Sequence, residues 1–231
     1  MSSYGIPFQN ERGMILGSAY FSSLAAAFFT AIFVALAGMI IWQRAALRAK
    51  QRELEATRRL LEKEGFETTF FRLLELQHER IEELEIYQNV GPNIRGRNCF
   101  NYMYYKTFVT LQTGTEEIYG HHPLLKQVQL YYSQLYQIFE DNLSYYFRNL
   151  FHILRFIDSS KIEPKQNYTG LLRAQLCSAE LLLLFYHALS THDADGLKPL
   201  IEKYGLLMHL PAGALLNEKH KGLYLPKAFE V

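Results

Sequence analysis

The chain has 231 residues, 49% of them hydrophobic and 20% charged, with a formal net charge of +1. That near-neutrality hides two regions. Arg44, Arg48, Lys50, Arg52, Arg58, Arg59 and Lys63 face only Glu53, Glu55 and Glu62, which leaves residues 64–231 acidic and makes them a poor candidate for unaided non-specific nucleic-acid binding, since such binding rests on basic surface.

Residues 1–13 form a short polar segment without a readable motif. From Gly13 to Gln43 there are 31 residues and no charge, whereas a helix needs about 20 residues to cross the hydrocarbon core of a bilayer. Residues 14–43 are therefore expected to form one transmembrane helix, with Met14, Ile15, Phe28, Phe29, Ile32, Phe33, Ile40, Ile41 and Trp42 meeting lipid. A secretory signal peptide fits poorly, because its apolar core runs about 7–15 residues behind a basic start. A re-entrant hairpin would need roughly 40 apolar residues.

The basic flank orients this span. Lys and Arg near a membrane helix stay cytoplasmic, so Arg44, Arg48, Lys50 and Arg52 place the N-terminus outside and the rest of the chain in the cytoplasm. Cys99 and Cys177 are the only cysteines, which suits a reducing compartment and argues against a disulfide framework. Residues 44–65 are rich in good helix formers up to Gly65 and read as a basic juxtamembrane stalk beside membrane lipids. Ile40, Leu47, Leu54 and Leu61 recur every seven residues, the spacing of a seam between protomers, while the companion heptad positions are polar.

Residues 66–231 are expected to form a compact cytoplasmic domain, and sparse strand signals make the class all-α. Phe70, Leu73, Leu74, Ile81 and Leu84 return at helical spacing within Glu67–Tyr87, up to a stop at Gly91-Pro92. Asn98–Thr110 suits a helix or a strand, and Gly114 and Gly120 bound a loop. Leu124–Ile157 keeps apolar steps of three or four apart from one of five between Ile138 and Leu143, where Glu140-Asp141-Asn142 is an expected break, so one long helix and two in tandem both fit. Tyr168–Ser190 reads as one central buried helix, Leu197–Leu210 as a shorter one, and the end as an irregular tail.

Few constellations carry chemistry. His121-His122 lacks a carboxylate or thiol at ligand spacing, and His192, Asp193 and Asp195 crowd a helix end where turns are usual. No Gly-rich phosphate loop, Cys-x-x-Cys or Gly-x-Ser-x-Gly is present, so no cofactor or metal is expected. Arg148 and His152 stand one turn apart in FRNLFHILRF, where a cation beside an imidazole could position phosphate and move a proton. This is similar to the Arg-x(4–6)-His motif of HEPN-type ribonucleases, with the departure that three residues separate the pair. The competing reading is a buried polar pair that fixes helix packing, with Glu140 or Asp158.

Whole segments carry a broader resemblance: FFRLLELQHERIEEL (70–84), Gly96-Arg97 with Phe100, YYFRNLFHILRFID (145–158), LLRAQLCSAELLLLFYHALS (171–190) and LIEKYGLLMHL (200–210). In this order they resemble the AbiC-like phage abortive infection family of bacteria across most of residues 66–210. The resemblance implies one or two N-terminal membrane helices before a helical domain, a place in the bacterial inner membrane, and defence that stops the host before phage progeny emerge. It also implies partners such as a retron reverse transcriptase or its nucleic acid. The expected function is a non-enzymatic membrane effector that self-associates. A membrane-tethered ribonuclease using Arg148 and His152 is the alternative, and an anchored sensor or adaptor without toxicity of its own is the second.

Overall fold

The computed structural model describes residues 11–111, 113, 120–193 and 196–230, with side chains from residue 24 onward except 25. The chain divides into two units, Met1–Glu62 and Lys63–Val231. The fold is all-α apart from one two-stranded hairpin.

The described residues of the first unit all belong to helix α1, which runs Glu11–Glu82. By length and composition it is a candidate membrane span. Phe28, Phe29, Ile32, Phe33, Ile40, Ile41 and Trp42 are all exposed, Phe33 at 74%; Met14 and Ile15 lie within the helix, and their side chains fall outside the described residues. Nothing polar is stranded among the described apolar turns: the Thr30 hydroxyl donates to the carbonyls of Ala26 and Ala27 at 3.0 and 2.8 Å, as hydrocarbon surroundings require. Arg44, Arg48, Lys50 and Arg52 follow, all exposed, and Leu47, Leu54 and Leu61 are exposed at 60–69%.

Gly65 was expected to end the stalk, yet α1 passes through it to Glu82. An exposed helical glycine costs only about 1 kcal/mol against alanine, which the good helix formers around it outweigh. In the second unit α1 turns Phe66, Phe70, Gln77 and Ile81 inward. The helix stops nine residues before the expected Gly91-Pro92, because β1 (Glu85–Ile86) pairs antiparallel with β2 (Ile94–Arg95). Asn93 and Arg95 both hydrogen-bond the Glu85 carboxylate, at 2.9 and 2.8 Å.

The unassigned stretch after Gly96 is helical. A short α2 (Asn98–Asn101) runs directly into a π-helical segment, Tyr102–Phe108, that buries Met103, Tyr104 and Phe108. Helix α3 (Leu124–Ser159) is one helix with a kink at Phe139 (φ −124°, ψ 26°), one residue before the expected break. The expected single helix over Tyr168–Ser190 is two: α4 (Lys165–Gln175) and α5 (Ser178–His187), separated by extended backbone at Leu176 and Cys177. Only α5 is buried all round. Helix α6 (Leu197–Tyr204) ends at Gly205, whose φ of +57° is left-handed. The tail is ordered rather than irregular: 3-10 turns at Glu218–Leu223 and Pro226–Phe229 bury His220 and Ala228, and the Leu207 amide donates to Ala228 O at 2.9 Å.

A cleft between helices α1 and α3

A cavity of about 690 Å³ opens in the second unit between the last turns of α1 and the middle of α3. From the α1 side come Leu76, Arg80, Glu83 and the following Leu84. From α3 come Asp141, Asn142, Tyr145, Tyr146, Arg148, Asn149 and His152. The spacing explains the arrangement. Asp141, Tyr145, Arg148 and His152 step by four, three and four residues, so one face of a 3.6-residue helix carries them all. Asn142, Tyr146 and Asn149 form the adjoining, more buried row.

Arg148 and His152 are thus both in the cleft, and both are exposed. They are not a buried packing pair. Arg148 donates to Ser144 Oγ at 3.2 Å and lies 5.8 Å from the centre of the Tyr145 ring; His152 has its edge against Phe151. The two acids considered as partners are placed elsewhere. Glu140 is exposed, and Asp158 is bound by Lys203 and the Tyr204 hydroxyl, which hold its carboxyl below the ordinary range.

Helix packing is fixed instead by the buried row. The Tyr146 hydroxyl donates to Glu180 Oε1 at 2.8 Å, and Arg97 reaches Glu180 Oε2 at 3.2 Å and Gln175 O at 2.7 Å. The same Glu180 oxygen accepts the Cys177 amide at 2.7 Å, so the carboxylate also caps the start of α5. Asn149 bonds the buried Gln77 side chain of α1. Tyr146 and Asn149 on the cleft's floor are therefore held from behind. This Arg97–Glu180–Tyr146 set was missed in the sequence; its one signal was an acid directly before the leucine run of α5.

A second buried group lies across α3 and α5. His187 stacks on Phe147 at 4.0 Å and bonds the Tyr132 hydroxyl at 3.0 Å, while His192 stacks on Tyr136 at 4.0 Å and reaches Ser133 Oγ at 3.2 Å. Burial pushes the His187 imidazole down to about 3, so it is neutral near pH 7. Asp193 accepts the Leu197 amide and caps α6, the turn role expected of it; Asp195 lies outside the described residues. His121 and His122 are exposed at the entry to α3. Among the described residues no three His, Cys, Asp or Glu side chains gather as a metal would need. Burial raises the Cys99 thiol and pushes Cys177 up to about 11, which keeps both thiols protonated and poorly nucleophilic at neutral pH.

Fold and cleft together define an all-α protein that carries a candidate membrane span. A family model described as "Putative phage abortive infection protein" matches residues 139–215, from the kink of α3 to the segment after α6, and supports the AbiC-like resemblance over that third of the chain. No curated protein and no solved structure matches it.

Proposed function

We propose that this chain is an anti-phage effector of the bacterial inner membrane, acting in abortive infection by perturbing that membrane once infection is sensed. The observation that carries the reading is α1: an uncharged helical stretch longer than a bilayer needs, its described apolar side chains exposed, followed at once by four exposed cations. The matched family supplies the biological setting. In this reading the N-terminus lies outside, the domain beyond the basic flank is cytoplasmic, and lipid is the direct target. The domain keeps the span silent through its own oligomeric state or a defence partner, such as a reverse transcriptase with its nucleic acid. No chemical step by the protein is needed.

One observation favours a second reading. Arg148 and His152, one turn apart and both solvent-accessible, share a cleft of nucleotide size, which a tethered HEPN-like ribonuclease would use. Membrane potential and RNA integrity followed together in infected cells separate the two. Depolarisation with intact RNA, unchanged in His152→Ala, is the expected result; cut RNA that His152→Ala abolishes, with the potential retained, would replace the effector reading by the enzymatic one.

A further inference from the structure

The α1–α3 cleft has unlike ends. At one end Arg148 has no carboxylate partner among the described residues, and its neighbour one turn on is His152. At the other end Asp141 has no cationic partner among the described residues, and beside it stands the Asn142 carboxamide. Seven residues of helix separate Asp141 from Arg148, about 10 Å along the axis. Tyr145, whose ring is exposed, stands between them on α3, and the facing wall carries Leu76, Leu84 and the Arg80–Glu83 ion pair, closed on itself at 2.9 Å.

A ligand that satisfies this cleft has three parts. It needs an anionic group for the guanidinium and imidazole, a planar body to lie along the tyrosine, and an edge with N–H donors and an acceptor for the carboxylate–carboxamide pair. We propose that the cleft binds a purine nucleoside phosphate, its phosphate at Arg148 and His152, its base against Tyr145 and its base edge at Asp141 and Asn142. Guanidinium groups bind phosphate through paired N–H donors, bases stack on tyrosine with little regard to sequence, and carboxylates accept from exocyclic amines while carboxamides read mixed donor–acceptor edges. The volume, about 690 Å³, holds one nucleotide, and the acidic balance of residues 64–231 offers no track for a longer strand.

The site is built rather than incidental. Its floor residues Tyr146 and Asn149 are locked by the fully buried Glu180 and by Gln77, the kind of support that holds a binding geometry. This inference rests on the geometry of the cleft and is independent of the membrane reading, because binding is measured on the purified chain.

The test is calorimetric titration of the full chain in lipid nanodiscs with AMP, GMP, adenosine and inorganic phosphate. AMP or GMP is expected to bind at least about tenfold tighter than adenosine or phosphate alone, since both ends of the cleft contribute. Arg148→Ala is expected to weaken the nucleotide about tenfold or more and Asp141→Ala severalfold, whereas Arg155→Ala, on the same helix and outside the cleft, stays within about twofold. Both exchanged side chains are exposed, so the fold survives them. Absence of AMP and GMP binding, equal affinity for phosphate alone, or affinity unchanged in Arg148→Ala and Asp141→Ala would each overturn the proposal.

Discussion

Glu180 sits fully buried among the leucines of α5, and three groups from three different places satisfy it: Tyr146, Arg97 and the Cys177 amide. Removing the carboxylate leaves a phenol, part of a guanidinium and a helix-start amide without their acceptor. Glu180→Ala is therefore expected to destabilise the domain by about 2–4 kcal/mol, as measured by urea unfolding. Gly205 makes a second single-residue prediction. Its φ is +57°, and a Cβ there would lie 1.9 Å from Glu230 O. Gly205→Ala combines left-handed strain of about 1–2 kcal/mol with displacement of the C-terminal turn. A midpoint loss of the same order as that of Glu180→Ala is expected, with the tail released to proteolysis. The helix expected over Leu197–Leu210 would have Gly205 inside it, whereas Gly205 ends α6, and its closeness to the tail was not legible either. Likewise the acid beside the leucine run of α5 does not show what satisfies it, because its side-chain partners lie 34 and 83 residues away.

Elements whose signal is periodic apolar spacing were the legible ones. The inward row of α1 and the whole of α3 follow from steps of three and four, and the expected break at Glu140-Asp141-Asn142 lies beside the kink at Phe139. Where a boundary depends on tertiary contact, the sequence is silent. Leu176 and Cys177 interrupt α4 and α5 without glycine or proline, held extended while Arg97 takes Gln175 O and Glu180 caps the restart. The two-residue strands at Glu85 and Ile94 are too short to show any alternation. Packing of α3 on α5 makes a pH prediction. His187 is neutral in the fold and its value is lowered from 6.5 to about 3. The unfolded chain therefore binds the extra proton below about pH 6.5, and stability present above that pH is lost as the pH falls toward 3. His192 and His220 are lowered by burial as well and act with the same sign. Unfolding free energy is expected to drop between pH 7.5 and 5, by up to about 1.4 kcal/mol per pH unit for each such proton. The double substitution Tyr132→Phe with His187→Phe removes the buried pair without orphaning either partner, and should flatten that slope; a slope as steep as the parent's would exclude His187 as its source.

At the scale of the whole molecule, two units with different surfaces share one chain. Met1–Glu62 exposes its described apolar side chains and carries the basic flank; Lys63–Val231 buries an aromatic and leucine core. That contrast was plain from charge and hydropathy alone, which is why residues 14–43 stood out first. The effector account gives the first unit the lethal role and the second its control. A charge in mid-span then separates expression from action: an arginine at the centre of a membrane helix costs about 2.5–3.5 kcal/mol on insertion, so Phe33→Arg is expected to abolish protection while the second unit still folds. The most direct measurement is membrane potential, followed by a voltage-sensitive dye in phage-infected cells from adsorption to the normal time of lysis. The account predicts that cells carrying the wild-type chain depolarise before progeny are released and that Phe33→Arg cells do not. Protected cells that keep their potential throughout would contradict it.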